Sequence, residues 1–175
     1  METTEKIVEA YCRYIKGWFT ITNLKGPGQS ELDILAIDTT NKNRYKRYHI
    51  EVSVSISGGF SKLNNKPFST KLLKDRVKMP GMRRTLGFFK HRKFNKPEVK
   101  EMLNNYGFKN KNYEKVIVSW GWSEDVPKAA EKEGILLWDF RDIISEIGLT
   151  YKKDNTYFTD DTLRTLQLYS KAIEK

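Results

Sequence analysis

Two acidic residues, Asp33 and Glu51, occupy matching places in two segments whose polar and apolar residues alternate. Positions 32, 34 and 36 are apolar around Asp33, and the even positions from 48 to 56 are apolar around Glu51. Since side chains alternate between the two faces of a strand, each acid lies on the polar face of its segment. If the two segments pair as a hairpin, both carboxylates can bind one divalent cation. Mg²⁺ that must also hold a phosphate oxygen uses such oxygen ligands and keeps water positions open.

Polar residues that alternate on paired strands also occur where a sheet simply faces solvent, and this alternative stays open. His49 lies on the same face as Glu51 and either contacts substrate or metal or is a surface histidine at a strand end. The chain has two histidines, far apart, and one cysteine, Cys12. These counts predict neither a zinc site of the usual ligand spacing nor a disulfide within the chain.

Positive charge is concentrated in one segment of the chain. The sequence has 32 lysines and arginines and 22 acids, a formal net charge of +10. Residues 62–115 contain 16 of the basic residues and only four of the acids, so this segment accounts for the whole excess. Such a distribution is typical of a surface that binds a polyanion such as nucleic acid. The alternative is a lysine-rich face that keeps the protein in solution.

Basic and aromatic residues are interleaved in part of this segment. Five side chains are candidate nucleic-acid contacts: Arg83, Arg84, Lys90, Arg92 and Lys93. Phe88, Phe89 and Phe94 lie among them. Exposed rings there could stack on unpaired bases, whereas buried rings would pack beneath the basic residues.

The elements that must position these residues follow an α/β pattern. Apolar residues three and four apart predict a first helix to about Lys16, which Gly17 ends. Three strands follow, at about 18–23, 31–38 and 48–57. Further patterns predict helices at about 69–78, 97–106, 123–133, 139–147 and 159–174, strands at about 114–120 and 135–138, and an irregular basic stretch at 82–96. The order predicts a central mixed β-sheet flanked by helices.

The length of 175 residues is typical of one domain with its own hydrophobic core. We therefore expect a single domain over residues 1–175, with a basic insertion at about 80–112 and a C-terminal helix at about 159–174. No stretch of the sequence resembles a transmembrane helix or a signal peptide. The expectation is a cytoplasmic protein without a membrane partner.

The motifs resemble those of the restriction-endonuclease-like superfamily, the PD-(D/E)XK nucleases, which includes Holliday junction resolvases and Mrr-type enzymes. The family pattern is a helix with a glutamate, a strand, a turn, an Asp-bearing strand, and a strand that ends Glu-x-Lys. Here the helix offers Glu5 and Glu9, the turn and second strand carry Asp33 within 26–38, and the third strand reads HIEVS at 49–53. Residues 115–138 look like the family's later βαβ portion. The resemblance as a whole implies a core with the element order α-β-β-β-α-β-α-β.

This resemblance implies a restriction-endonuclease-like core and Mg²⁺-dependent hydrolysis of DNA, with Mn²⁺ as a substitute metal. Asp33 and Glu51 would be the metal ligands, and Glu9, or alternatively Glu5, would help to position a metal-bound water. RNA stays open as a substrate, and the resemblance allows a homodimer. The rival interpretations are a catalytically inactive nucleic-acid-binding module on the same fold and a structural protein of a nucleoprotein assembly.

One position departs from the family pattern, because Ser53 stands where the family has its lysine. A hydroxyl cannot supply the positive charge of an ammonium group. A lysine could reach the site from the predicted helix that follows, where a stripe is formed by Lys71, Lys74 and Lys78. Alternatively, metal and Glu51 suffice at a reduced rate, or the site has lost its activity. The stripe itself could be only a solvated helix face.

Overall fold

A five-stranded sheet forms the centre of the computed structural model, which describes residues 2–40, 44–56, 59–69, 80–109, 112–153, 158 and 160–173. The strands are β1 (Phe19–Gly26), β2 (Ser30–Asp38), β3 (Lys46–Ser53), β4 (Glu114–Ser119) and β5 (Ile135–Asp139). They lie in the order β1-β2-β3-β4-β5. The first three form an antiparallel meander, and β4 and β5 run parallel to β3.

Six α-helices pack around the sheet in the described part of the chain. They are α1 (Thr3–Ala10), α2 (Leu86–Phe88), α3 (Pro97–Asn105), α4 (Val126–Lys132), α5 (Phe140–Lys153) and α6 (Asp161–Ala172). Both α1 and α2 continue as π-helices, at Tyr11–Ile15 and Phe89–Phe94, and short 3₁₀ turns occur at Pro27–Gln29 and Pro80–Arg84. The predicted α/β architecture, a mixed sheet flanked by helices, is confirmed.

Buried residues lie on both faces of the sheet. On one face, Ile34 and Ile50 pack with buried residues of α1, α5 and α6. On the other face, Leu35 packs with α3, and Ile117 packs with α4 and with the segment from Leu86 to Phe94. Because both faces are covered, polar side chains of β2 and β3 on the second face are enclosed between the sheet and helices rather than open to solvent.

Two predicted elements differ from the structure. The stretch 82–96, predicted to be irregular, is largely helical. Thr85 caps α2 by accepting a hydrogen bond from the Phe88 backbone, and the buried Phe89 and Phe94 are five residues apart. That spacing suits the i→i+5 turn of a π-helix and not the three- and four-residue steps of an α-helix. The apolar residues of this stretch therefore do not show the periodicity of an α-helix.

Helix α5 extends to Lys153, whereas the sequence predicts an end near Gly148. A Cβ atom at position 148 would lie 3.2 Å from the Ser170 hydroxyl of α6. This glycine therefore serves the close packing of two helices and does not end one of them. The predicted helix at 69–78, with Lys71, Lys74 and Lys78, lies almost wholly outside the described residues.

Candidate functional site: a buried carboxylate–lysine cluster

Asp33 and Glu51 come together where β2 and β3 part. The last paired residues of these strands are Ile34 and Ile50, and the next residue on each strand is Asp33 and Glu51. Asp33 accepts a hydrogen bond through Oδ2 from the Val52 backbone N–H at 2.8 Å, so its side chain replaces a further backbone pair. Asp33 is 6% exposed and Glu51 is fully buried. The two acids are thus enclosed and do not form a solvated sheet face.

The neighbouring strand is distorted at the same level. Asn23 lies between the β1 residues that pair with Leu32 and Ile34, and it adopts a left-handed backbone with φ 55°. Leu32 packs with the α3 side of the sheet, whereas Ile34 packs with the α1 side. The expectation that the even positions of this strand share one face is therefore wrong at Leu32, whose partner on β1, Leu24, follows the left-handed Asn23.

A lysine from the π-helix completes the cluster. Lys93 Nζ lies 2.5 Å from Glu51 Oε2 and 3.1 Å from Asp33 Oδ1, and it also donates to the Glu31 carbonyl oxygen at 3.4 Å. The side chain of Lys93 is only 20% exposed. The sequence analysis placed Lys93 among the candidate nucleic-acid contacts; in the structure its ammonium group forms ion pairs with two buried carboxylates. Phe94 is fully buried beside it and holds this turn of the π-helix against the sheet.

The electrostatics of the cluster follow from its burial. Burial and the nearby charge of Glu51 raise the pKa of Asp33 to about 7, although Lys93 and the Val52 N–H act in the opposite direction. Burial also raises the pKa of Glu51. Burial alone would lower the pKa of Lys93, but the charges of Glu51 and Asp33 outweigh it and raise that pKa. Two acids that share one ammonium group therefore retain affinity for a proton, or for another cation, near neutral pH.

His49 is the fourth buried member of the cluster. Its ring is completely buried, and Nε2 lies 2.7 Å from Glu51 Oε1. Burial lowers the pKa of His49 to about 3, so the imidazole is neutral at physiological pH. The interpretation of His49 as a surface histidine is wrong, since the segment from Leu86 to Phe94 covers this face of β3 and Phe94 packs against the ring. Its sequence signal was the position two residues before Glu51, on the same strand face.

Helix α1 carries two glutamates, Glu5 and Glu9, which have different surroundings. Burial raises the pKa of Glu5, and the charge of Asp33 contributes to that shift. Glu9 instead accepts a hydrogen bond from Thr20 at 3.3 Å and lies 3.6 Å from the Arg13 guanidinium. Of the two glutamates proposed from the sequence, Glu5 is therefore the one whose pKa responds to the charge of Asp33.

Ser53 and the candidate nucleic-acid contacts differ in exposure and in their partners. Ser53 is half-buried at the end of β3 and carries no charge, as expected. Arg83 and Arg92 are exposed and Arg84 is half-buried, so these three side chains remain candidate phosphate contacts. Lys90 is half-buried and forms an ion pair of 2.6 Å with Glu133. Phe89 is buried in the core, and half-buried Phe88 makes an edge-on contact with it, as the packed alternative predicts.

A metal site in this cluster would rest on few ligands. Within the described residues, no group of three or more His, Cys, Asp and Glu side chains is arranged to hold a metal ion. Two carboxylates on adjacent strands are nevertheless suitable ligands for Mg²⁺, which retains several waters and needs few protein oxygens. The same part of the chain contains no helix long and apolar enough to cross a membrane.

Comparisons with known proteins identify no family. No protein-family model matches the chain, and no curated protein matches it. Among solved structures, the chain is similar to one described as the crystal structure of a protein of unknown function, AF1548. The two share 13% sequence identity over 98% of each chain, with a TM-score of 0.45.

Proposed function

We propose that this protein is a divalent-metal-dependent nuclease that hydrolyses phosphodiester bonds of DNA on a restriction-endonuclease-like fold. One observation carries the proposal: Asp33, Glu51 and Lys93 converge in one buried cluster at the point where β2 and β3 stop pairing. These are the three residue types of the Asp…Glu-x-Lys pattern. The lysine comes from the π-helix, 60 residues after Asp33, and takes the place that Ser53 leaves without a charge.

Asp33 and Glu51 would hold the metal, Mg²⁺ or Mn²⁺ as a substitute. Their fit to a divalent cation is supported by the raised pKa of both carboxyl groups, since burial disfavours their two negative charges and the charge of Lys93 offsets this only in part. When bound, the ion supplies positive charge to a phosphate oxygen and lowers the pKa of a coordinated water. Glu5 adds a third carboxylate within electrostatic range of Asp33 and would orient water at this edge.

Lys93 would act through its charge and not as a base. Because its pKa is raised, the ammonium group stays protonated throughout the physiological range. A fixed positive charge beside the reacting phosphate stabilises the negative charge that develops there and is commonly worth about 10²–10³ in kcat. Lys93 is held by Glu51 and Asp33, so its charge is positioned before substrate arrives, as such stabilisation requires.

The substrate would reach this centre along the basic segment. Arg83 and Arg92 are exposed on the same 80–94 stretch that carries Lys93. Phosphate contacts of this kind give affinity that depends on salt but carry no sequence information, so DNA is the proposed substrate class and RNA remains an alternative. A homodimer would allow two strands to be cut, by analogy with other enzymes of this type.

A catalytically inactive nucleic-acid-binding module is the second candidate function. It is favoured by the ion pairs of Lys93, because one ammonium group already neutralises part of the carboxylate charge without any metal. In that case Lys93 would be a structural counter-ion, and the basic residues alone would be functional.

A cleavage assay separates the two functions. Wild type, Asp33→Asn, Glu51→Gln and Lys93→Met are tested with Mg²⁺ and Mn²⁺ on duplex, branched and single-stranded DNA, with Lys100→Met, an exposed lysine of α3, as the matched control. A nuclease is expected to lose all activity in the two acid variants and about 10²–10³ in kcat in Lys93→Met, at unchanged affinity for DNA. Absence of cleavage by wild type on every substrate, with DNA binding intact, would favour the binding module.

A second-site variant tests whether Lys93 replaces the family lysine. Ser53 lies on the same face of β3 as Glu51, so Ser53→Lys can direct an ammonium group to the same carboxylates. The double variant Ser53→Lys/Lys93→Met is therefore expected to recover part of the activity that Lys93→Met loses. Full activity of the single variant Lys93→Met would show instead that the charge of Lys93 is not needed.

A further inference from the structure

His49 and Glu51 form a buried contact within the site. They are two residues apart on β3, on the same face of the strand, and both side chains are completely buried. His49 Nε2 lies 2.7 Å from Glu51 Oε1, whereas the other carboxylate oxygen, Oε2, faces Lys93 at 2.5 Å. The two oxygens of Glu51 thus have different partners.

The orientation of the imidazole is determined by its neighbours. The rings of His49 and Phe94 form a T-shaped pair, with centroids 5.0 Å apart and planes at 83°, and the Tyr113 ring lies 6.3 Å from His49 on a tilted plane. Its other nitrogen, Nδ1, has no hydrogen-bond partner among the described residues. The polar contact of this ring in that part of the chain is therefore the one with Glu51.

We propose that His49 is a positioning residue that donates the Nε2–H hydrogen to Glu51 Oε1 and so directs Glu51 Oε2 towards Lys93 and the cation site. The part of this inference that concerns the cation rests on the proposed function. The hydrogen bond to Glu51 does not, since it joins two side chains of the described structure.

The direction of the hydrogen bond follows from charge and burial. A carboxylate accepts hydrogen bonds only, so the nitrogen that faces it must carry the hydrogen. A neutral imidazole has one N–H, which assigns it to Nε2 and leaves Nδ1 as the bare nitrogen. Nδ1 has no hydrogen-bond partner among the described residues, so nothing beside it requires a hydrogen on that nitrogen.

Loss of this donor would leave Glu51 Oε1 buried without a partner, which is costly. Glu51 would then turn to share both oxygens with Lys93 and would present neither to a cation. Hydrogen-bond partners that orient metal ligands in this way commonly contribute about 10- to 100-fold to metal affinity.

Two amide variants distinguish positioning from packing. Gln places its amide nitrogen at the same distance along the side chain as Nε2 of histidine, whereas Asn is one carbon shorter and cannot reach Glu51. We expect Mn²⁺ to bind His49→Asn about 10- to 100-fold more weakly than wild type, and His49→Gln to recover most of the difference. Titration calorimetry and Mn²⁺ electron paramagnetic resonance measure these affinities. Equal losses in both variants, or no loss in either, would overturn the positioning role.

The tautomer of the wild-type protein decides the hydrogen bond without any variant of His49. ¹H–¹⁵N spectra of the metal-free protein at neutral pH should show His49 as the Nε2–H tautomer, and His91→Asn assigns the signals because the chain has two histidines. An Nδ1–H tautomer would overturn the inference. If wild type binds no Mn²⁺ but His49 is the Nε2–H tautomer, the nuclease proposal and the cation role fail while the positioning of Glu51 by His49 is retained.

Discussion

Replacement of Asp33 by Asn should stabilise the metal-free protein at alkaline pH. In the folded protein the pKa of Asp33 rises from 3.8 to about 7, chiefly through burial and the charge of Glu51. The folded state therefore holds this proton more tightly than the unfolded state does, and the free energy of unfolding falls as pH rises between about 4 and 7. At about 1.4 kcal/mol per pKa unit, a shift of roughly three units costs on the order of 4 kcal/mol above pH 7.

Asn removes this cost, although its amide nitrogen then faces the Lys93 ammonium group, which in the wild type donates to Asp33 Oδ1 at 3.1 Å. Its side-chain oxygen can still accept the hydrogen bond from the Val52 N–H, which Asp33 Oδ2 accepts at 2.8 Å. Lys93 then faces Glu51 alone, a balanced pair of one positive and one negative charge. The difference in unfolding free energy between Asp33→Asn and wild type should therefore increase in favour of the variant by several kcal/mol from about pH 4 to pH 8.

Urea unfolding measures this difference directly when it is monitored by tryptophan fluorescence across this pH range, with a chelator present. Glu31→Gln is the matched control, because Glu31 is an exposed acid on the same strand, and its difference from wild type should stay within about 0.5 kcal/mol. In excess Mg²⁺ the order should move back towards wild type, since a ligand stabilises only the protein that binds it. A difference for Asp33→Asn that does not change with pH, or a variant less stable than wild type at pH 8, would refute the conclusion that the buried charge of Asp33 beside Glu51 destabilises the folded protein.

Three further predictions concern the surroundings of the cluster. Phe94→Ala should lower the unfolding free energy by about 3–5 kcal/mol because it leaves a cavity beneath the π-helix, whereas Phe19→Ala, at a residue 70% exposed, should change it by less than about 0.5 kcal/mol in urea unfolding. Glu5→Gln should reduce kcat in the cleavage assay and Glu9→Gln should not; the reverse result would reinstate Glu9 as the site residue. Salt-dependent DNA binding should show a steep log–log slope that becomes shallower by about 0.9 for each phosphate contact removed, and a slope near zero in wild type would exclude a polyanion surface. The residues to neutralise together are Arg83, Arg84 and Arg92.

Several features follow from the sequence alone because they depend on short-range patterns. Alternation of apolar residues places Asp33 and Glu51 on β2 and β3, and the structure pairs these strands as the sequence predicts. Asp160 caps α6 by accepting a hydrogen bond from the Leu163 backbone at 2.9 Å, close to the predicted start of that helix at about residue 159. Strand periodicity and capping involve neighbours within a few residues, so the local sequence carries them.

The composition of the site was decided by the tertiary structure. Lys93 approaches Asp33 across 60 residues of chain, on a π-helix whose five-residue spacing does not appear in an α-helical pattern. Glu5 and Glu9 are four residues apart on one helix, and only the way α1 packs on the sheet determines which of them approaches Asp33. His49 alternates with apolar residues as a solvated residue would, but the helices that cover β3 bury it. Each of these outcomes depends on packing between segments that are distant in the sequence. That packing determines both the burial and the electrostatics of the side chains, and no local sequence pattern records it.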